Sequence, residues 1–161
     1  MPVTAISKTE FAVEKYKVVM EEGERGLFQK HWEDLAIDKV IPWELNHEMY
    51  TYMEEKGLLH VVTARNDNRI VGYHVGIIGP HLHYKSAGLM CYEDMYYLLP
   101  EFRAGGTGAR LFMFVETSLR ERGITKWFLS CKRHQDHTAL FTMLGFRLQD
   151  LGFSKLLTED K

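Results

Sequence analysis

The chain has 161 residues, of which 45% are hydrophobic and 26% charged, and its 20 basic and 22 acidic side chains give a net charge of -2. This length and composition are typical of one globular domain with a substantial core, so we expect residues 1–161 to form a single domain. The near balance of charge excludes a large basic footprint, and a nucleic-acid partner is not expected.

The sequence shows no sign of a membrane or an oxidising compartment. Its first ten residues, MPVTAISKTE, lack the basic start and apolar run of a signal peptide, and no apolar run approaches the length of a membrane span. Cys91 and Cys131 both lie in apolar, strand-like stretches, where buried reduced thiols are more common than a disulfide. We therefore expect a cytoplasmic protein that does not associate with a membrane.

The first half of the chain is predicted to be helical. Pro42 and Gly57 are placed near the start and at the end of the last of three helices. Apolar residues recur at helical spacing in three groups, which are Ala12, Tyr16 and Val19, then Phe28, Trp32 and Leu35, then Leu45, Met49 and Tyr52.

A β-hairpin is predicted next, because two β-rich runs, 58–65 and 69–79, are separated by Asn66-Asp67-Asn68, a strong turn signal. A longer connection, 79–88, leads to the third strand of this region. The remaining chain predicts a strand at 89–99, a helix ending near Gly123, a buried strand at 126–131, a helix closed by Gly145 and a final strand around 146–157. The fold class that follows is α+β, with a mixed α/β sheet.

A glycine-rich turn separates the strand at 89–99 from the helix that follows it. Gly105, Gly106 and Gly108 let an anion approach the backbone, where the first N–H groups of the helix have no partner and carry partial positive charge. Arg103 adds a charged donor. No Gly-Lys-Ser/Thr and no G-x-G-x-x-G spacing is present, so this is neither a Walker A loop nor a dinucleotide fingerprint. The pattern favours phosphate binding over a plain connection.

This turn resembles the pyrophosphate-binding signature of the GCN5-related N-acetyltransferases, (Gln/Arg)-x-x-Gly-x-(Gly/Ala), which Arg103-x-x-Gly106-x-Gly108 matches. YEDMYYLLPEFRAGGTG is similar to the strand-to-loop segment of small-amine acetyltransferases, especially polyamine acetyltransferases, and HTALFTMLGFRL to the family's late helix. The matched segments span about 89–148. The resemblance implies a mostly antiparallel twisted sheet, splayed between its fourth and fifth strands and flanked by helices.

The resemblance implies acetyl-CoA as the co-substrate. Its pyrophosphate would lie on the backbone N–H groups of residues 104–109, and its pantetheine arm would pair with the backbone near Leu98 and Leu99. His134 occupies a position where the family often has a cofactor-contacting Asn. The cofactor-binding residues implied in this way are Leu98, Leu99, Arg103, Ala104, Gly105, Gly106, Thr107, Gly108, Ala109 and His134.

The chain's eight histidines do not predict a metal site. His81 and His83, and likewise His134 and His137 on an expected helix, could each chelate as a pair. Zinc takes three or four ligands, and no Cys/His/Asp set with a known zinc spacing is present. We therefore expect no metal.

Glu93 and Asp94 are the expected catalytic residues, because an alkylammonium must lose its proton before it can attack a thioester. Side chains alternate along a strand, so only one of the two acids is expected to line the cleft. The residues expected to contact the acceptor are Trp43, Glu44, His74 and Tyr96. Two alternatives stay open, namely a core role for Trp43 and a satisfied position inside the sheet for His74.

One position departs from the family pattern. Many members carry a Tyr in the late helix that is thought to protonate the departing thiolate, and alignment on Leu144-Gly145-Phe146 places Phe141 there. Tyr96, Tyr97 or His137 could take its place.

The expected function is transfer of an acetyl group from acetyl-CoA to a primary amine of a cationic small molecule. Two alternatives are a protein or nucleic-acid-component acetyltransferase and a CoA-binding sensor without turnover. Because the family often dimerises, a homodimer is among the expected assemblies.

Overall fold

The computed structural model describes residues 8–158. The strands are β1 (Glu10–Val13), β2 (Leu59–Asn66), β3 (Arg69–Pro80), β4 (Leu89–Leu98) and β5 (Lys126–Phe128). The helices are α1 (Tyr16–Glu22), α2 (Phe28–Leu35), α3 (His47–Glu55), α4 (Thr107–Glu121) and α5 (Thr138–Met143). A π-helical turn, Gly23–Leu27, joins α1 to α2, and single 3-10 turns occupy Lys85–Ala87 and Pro100–Phe102. Within this part of the chain, no helix is both long and apolar enough to cross a membrane.

The five strands form one mixed sheet in the order β1-β2-β3-β4-β5. The first three pairings are antiparallel, while β5 runs parallel to β4. The β4–β5 pairing covers only Met90–Tyr92 against Lys126–Phe128, and β4 then continues to Leu98 while β5 ends. The predicted α+β class and the splay between the fourth and fifth strands are therefore confirmed.

The core lies on both faces of this sheet. On one face, Tyr73 of β3 packs edge-on against Phe28 of α2, with ring centroids 5.6 Å apart. On the other face, His74 of the same strand packs edge-on against Phe112 of α4, at 6.5 Å. Consecutive residues of a strand point to opposite faces, so α2 and α4 cover opposite sides of the sheet.

The predicted hairpin of β2 and β3 is confirmed, and the backbone conformation of two residues explains its tight turn. Asp67 and Asn68 have φ values of 48° and 64°, which places both in the left-handed region. Two such residues make a type I′ turn, whose twist matches that of the flanking strands, and Asn and Asp tolerate this conformation better than other non-glycine residues.

The first helical group is partly wrong, because Ala12 lies in a strand. Residues 10–13 pair with Val62–Arg65 of β2 in antiparallel register, and the helix starts only at Tyr16. Phe11 packs against Phe114 of α4 at a centroid distance of 6.0 Å. Because pairing with β2 is a long-range contact, the local spacing of apolar residues could not reveal this strand.

The predictions for the end of the chain are also corrected. The strand expected at 126–131 is limited to Lys126–Phe128, and it is half-buried rather than buried. No strand forms over 146–158, and Leu148, Leu151, Phe153 and Leu157 are exposed there. A strand requires a neighbouring edge to which it can hydrogen-bond, and the three-residue β5 offers little edge. Cys91 and Cys131 are free thiols, with Cys91 buried and Cys131 half-buried in a loop.

Candidate active site

A β-bulge in β4 sets the geometry of the site. Val75 of β3 pairs with Met95, but the next residue, Gly76, pairs with Glu93, so Asp94 is left without a partner. The extra residue cancels the alternation of side chains at this point. As a result, Glu93 and Asp94 line the same cavity, and the prediction that only one of them does so is wrong.

The cavity into which both acids project has a volume of about 490 Å³. Its floor is the bulged part of β4. One wall is formed by α2, the α2–α3 connection (residues 36–46) and Tyr50 of α3, and the other by side chains between residues 130 and 137. Trp43, Glu44 and Tyr96, three of the residues expected to contact the acceptor, belong to this lining.

The Glu93 carboxylate is held by a residue that follows β5. Its Oε2 accepts hydrogen bonds from the Ser130 backbone N–H at 3.1 Å and from the Ser130 hydroxyl at 2.7 Å. Burial raises the pKa of Glu93 above its ordinary value, and the two Ser130 bonds oppose this effect by stabilising the ionised form. The Tyr96 hydroxyl donates to the Ser130 carbonyl at 2.8 Å. Ser130 thus bridges the gap where β4 and β5 separate.

The Asp94 carboxylate is held from the opposite side by α3. The Tyr50 hydroxyl donates to its Oδ2 at 2.5 Å. Burial, followed by this bond to Asp94, raises the pKa of Tyr50, so its hydroxyl keeps its proton and remains a donor. Tyr50 stacks on Tyr16 at 4.6 Å, and the Tyr16 hydroxyl lies 2.9 Å from Nδ1 of His47. This packing fixes the position of Tyr50 and, through it, that of Asp94.

His74 is not at the site, contrary to the expectation that it contacts the acceptor. It is fully buried between Phe112 and Trp127, on the face of the sheet that α4 covers. Burial lowers its pKa to about 3, so the ring is neutral. Neither ring nitrogen has a hydrogen-bond partner. The alternative of a histidine inside the sheet therefore describes His74, although its hydrogen bonding is unsatisfied.

The glycine turn presents open backbone at the start of α4. Gly105 and Gly106 have φ values of 72° and 75°, in the left-handed region that favours glycine. No side chain caps the helix, and no atom lies within 4 Å of the position that a Cβ on Gly105 would take. Ala104 is exposed, Gly108 and Ala109 are half-buried and Thr107 is buried. The Arg110 guanidinium stabilises the turn, because it donates a hydrogen bond to the Gly105 carbonyl at 2.9 Å.

Two of the remaining residues implied for the cofactor, Arg103 and His134, meet at Asp34 of α2. Arg103 donates through Nε to the Leu98 carbonyl at 2.8 Å and forms an ion pair with Asp34 at 3.2 Å. The His134 ring lies 3.1 Å from the Asp34 carbonyl. The Leu99 N–H is bonded to β3, and its side chain is buried. The Leu98 carbonyl and the Leu99 N–H are thus already engaged within the protein.

Two of the three candidates for protonating the thiolate line the cavity. Phe141 is buried and has no proton to give, while the Tyr97 hydroxyl donates to Asp34 outside the cavity lining. Tyr96 and His137 do line it, with ring centroids 6.0 Å apart. His134 and His137 lie before α5 rather than on a helix, which corrects that expectation. In residues 8–158, no group of three or more His, Cys, Asp and Glu side chains could hold a metal ion.

Four residues that contribute to this geometry were not singled out for it by the sequence, namely Asp34, Tyr50, Ser130 and Lys132. Lys132 lines the cavity, close enough to Glu93 to act on its charge. Tyr50 and Asp94 are 44 positions apart, and Ser130 and Glu93 are 37 apart. No local pattern marks such pairs.

A sheet splayed between β4 and β5, with a glycine turn opening a helix beside it, is the arrangement that the resemblance implies for an acetyltransferase that takes its acetyl group from CoA. The profile of the acetyltransferase (GNAT) family matches residues 20–146, and the chain belongs to that family. It is therefore an acetyl-CoA-dependent N-acetyltransferase, which confirms the resemblance found in the sequence.

Solved structures show the same fold. An aminoglycoside acetyltransferase from an uncultured soil metagenomic sample superposes with a TM-score of 0.68 at 16% identity, covering 96% of this chain and 99% of its own. A second such enzyme, also from an uncultured soil metagenomic sample, gives 0.71 at 15% identity, covering 94% and 99%. A predicted acetyltransferase from Clostridium acetobutylicum, solved with acetyl-CoA, gives 0.65 at 19% identity, covering 94% and 98%. Comparison with curated protein sequences gives no significant match.

Proposed function

We propose that the protein transfers the acetyl group of acetyl-CoA directly to the primary amine of a cationic small molecule while both substrates are bound. The observation that carries this proposal is the bulge in β4, which brings the carboxylates of Glu93 and Asp94 into one cavity beside the β4–β5 gap. Two carboxylates in a small cavity attract a cation. Two of the structural relatives are named aminoglycoside acetyltransferases, and aminoglycosides are cationic amines, which also supports a cationic acceptor.

The turn before α4 fits the pyrophosphate of acetyl-CoA. The free N–H groups at the start of the helix would hold it, because Gly105 and Gly106 leave the backbone open and no capping side chain competes. The guanidinium groups of Arg103 and Arg110 lie beside the turn and add positive charge. The pantetheine arm would extend along the end of β4 toward the gap between β4 and β5.

Acetyl-CoA supplies a thioester. The amine nitrogen attacks its carbonyl carbon and forms a carbon–nitrogen bond. The carbon–sulfur bond then breaks, and the sulfur leaves with the bonding pair. An alkylamine carries a proton at neutral pH, because its pKa is about 10. A base must therefore take that proton before the nitrogen can attack. We assign the return of a proton to the sulfur to Tyr96 or His137, because both line the cavity.

Different roles follow for the two acids from their surroundings. The raised pKa of Glu93 brings its strength as a base closer to neutral pH, and Ser130 fixes its orientation, so we assign it as the general base. Asp94 is exposed and held by Tyr50, so we assign it to binding the ammonium group by charge. Trp43, Glu44 and Tyr96 are assigned to the acceptor wall because they line the same cavity.

The test compares Glu93→Gln with Asp94→Asn in an assay that measures release of the CoA thiol. Because general base catalysis is worth about 10² or more in rate, Glu93→Gln should lower kcat by about 100-fold. Asp94→Asn should mainly raise KM for the amine, by about tenfold, because it removes one charged contact. Both variants should bind acetyl-CoA as the original protein does.

Glu48→Gln is the matched control, because Glu48 is an exposed acid of α3 that does not line the cavity. It should leave kcat and KM unchanged. Equal and mild effects of Glu93→Gln and Asp94→Asn, similar to those of the control, would contradict both assigned roles.

A further inference from the structure

The outer wall of the cavity carries apolar side chains that are exposed to solvent. Ile37 and Ile41, in the α2–α3 connection, line the cavity and are 62% and 54% exposed. Leu35, Pro42 and Leu45 belong to the same wall. Leaving apolar surface in water costs free energy in proportion to its area, and apolar surface grouped inside a cleft is typical of a ligand site.

The wall also contains an aromatic ring that is already fixed in place. Trp43 packs against His31 at a centroid distance of 5.3 Å and against Phe28 at 6.1 Å, and it lines the cavity as well. A ring held by such packing loses little conformational freedom when a ligand covers it, so it favours binding of an apolar group more than a mobile side chain does.

Three hydroxyl groups on the polar side of the cavity are already engaged within the protein. The Ser130 hydroxyl donates to Glu93 and the Tyr96 hydroxyl to the Ser130 carbonyl. The Tyr50 hydroxyl donates to Asp94. The outer wall adds the carboxylates of Asp38 and Glu44, and the opposite wall includes the donors Lys132 and Gln135. Its four carboxylates, Asp38, Glu44, Glu93 and Asp94, outnumber the one ammonium group, that of Lys132, so the lining suits an ammonium group of the acceptor.

We infer that the acceptor is a primary amine on an apolar or aromatic body. Its ammonium lies against Glu93 and Asp94, and its body lies along Ile37, Ile41 and Trp43. The volume of about 490 Å³ suits one small molecule of this kind. The inference rests on the proposed function, since it names the acceptor class for the same acetyl transfer.

The first experiment measures kcat/KM for four amines at saturating acetyl-CoA by thiol release. The amines are 2-phenylethylamine, hexylamine, glucosamine and spermidine. We expect 2-phenylethylamine to exceed glucosamine and spermidine by at least about tenfold, because its ring replaces water along the apolar wall. A higher value for glucosamine or spermidine would overturn the inference.

The second experiment changes the wall. Ile37→Ser and Ile41→Ser should each raise KM for 2-phenylethylamine by about tenfold and leave kcat unchanged, because each removes apolar contact but no reacting group. The matched control is Val40→Ser, because Val40 lies in the same connection and is 71% exposed but does not line the cavity. If Val40→Ser raises KM as much as Ile41→Ser does, the wall does not bind the acceptor.

A binding measurement separates this inference from the proposed function. It titrates 2-phenylethylamine and glucosamine calorimetrically into the protein saturated with CoA. Saturable binding of 2-phenylethylamine without turnover of any amine would contradict the proposed function and support the acceptor class. Turnover of glucosamine, with no binding of 2-phenylethylamine, would support acetyl transfer and overturn the acceptor class.

Discussion

Mild acid should destabilise this protein through three buried histidines, His31, His60 and His74. Burial lowers their pKa values to about 4, 4 and 3. The pKa of an unfolded histidine is about 6.5. As the pH falls below that value, the unfolded chain takes up protons that the folded chain does not, so the free energy of unfolding decreases.

The magnitude follows from these values. A pH of about 5 lies about 1.5 units below the pKa of an unfolded histidine, and each unit is worth about 1.36 kcal/mol. Each histidine therefore lowers the free energy of unfolding by about 2 kcal/mol at that pH. The three histidines together lower the free energy of unfolding by about 6 kcal/mol. This is a large share of the total, because domains are stable by roughly 5–15 kcal/mol. Above about pH 6.5, both states are neutral at these positions and the effect disappears.

One acid, Glu93, affects the stability in the opposite direction. Burial raises the pKa of Glu93 in the folded state, so the folded chain binds this proton before the unfolded chain does. The resulting gain in stability on acidification offsets part of the loss. Glu93→Gln removes that contribution, so the full histidine effect should be visible in this variant.

The assay is urea unfolding followed by circular dichroism at about pH 8, 6.5 and 5, with the difference between pH values compared within each variant. His74→Phe suits the aromatic surroundings of Phe112 and Trp127, and it should remove about a third of the acid-induced loss. His83→Gln, in an exposed loop, is the control and should change nothing. The reasoning is refuted if the free energy of unfolding is the same at pH 8 and pH 5 in Glu93→Gln.

Three further changes test the site and the fold. Tyr50→Phe removes the hydrogen bond to Asp94 and should lower kcat/KM for the amine by about tenfold without changing acetyl-CoA binding; unchanged kinetics would mean that Tyr50 does not position the acid. Arg103→Ala should weaken calorimetric binding of acetyl-CoA by about tenfold, and equal affinity would remove Arg103 from the pyrophosphate site. Arg65→Ala leaves the carboxylate of Glu14 without its partner, so it should lower the free energy of unfolding, measured in urea, by about 3 kcal/mol. A loss below about 1 kcal/mol would show that solvent screens the pair.

The parts of the fold that the sequence predicted are those determined by local contacts. The β2–β3 turn depends on Asp67 and Asn68 themselves, and α4 on its own apolar stripe and the glycine turn before it. The strand β1 was missed because its partner lies about fifty positions later, at Val62–Arg65. The prediction of a strand in 146–158 was wrong for the opposite reason. The residue types of this segment favour a strand, but no neighbouring edge is long enough to pair with it.

The site was predictable in its residue types and not in their arrangement. The adjacent acids in an apolar strand marked the position of the candidate site, because ionisable groups in such strands are concentrated at functional sites. The bulge that unites Glu93 and Asp94 depends on the register between β3 and β4. Gly76 lies at this irregularity, where a Cβ would come within 2.4 Å of the Cys91 sulfur. The glycine is therefore required by close packing between the strands, which a single sequence does not reveal.

The two walls of the cavity come from parts of the chain that serve different purposes. Ser130, in the loop after β5, fixes the proposed base, and its bonds to Glu93 oppose the effect of burial on the pKa of that carboxyl. The α2–α3 connection supplies the apolar wall with Ile37 and Ile41, and neither side chain is part of the buried core. Because exposed side chains can change with little cost in stability, the acceptor class can vary through this connection while the geometry of the proposed base on β4 and of Ser130 is kept.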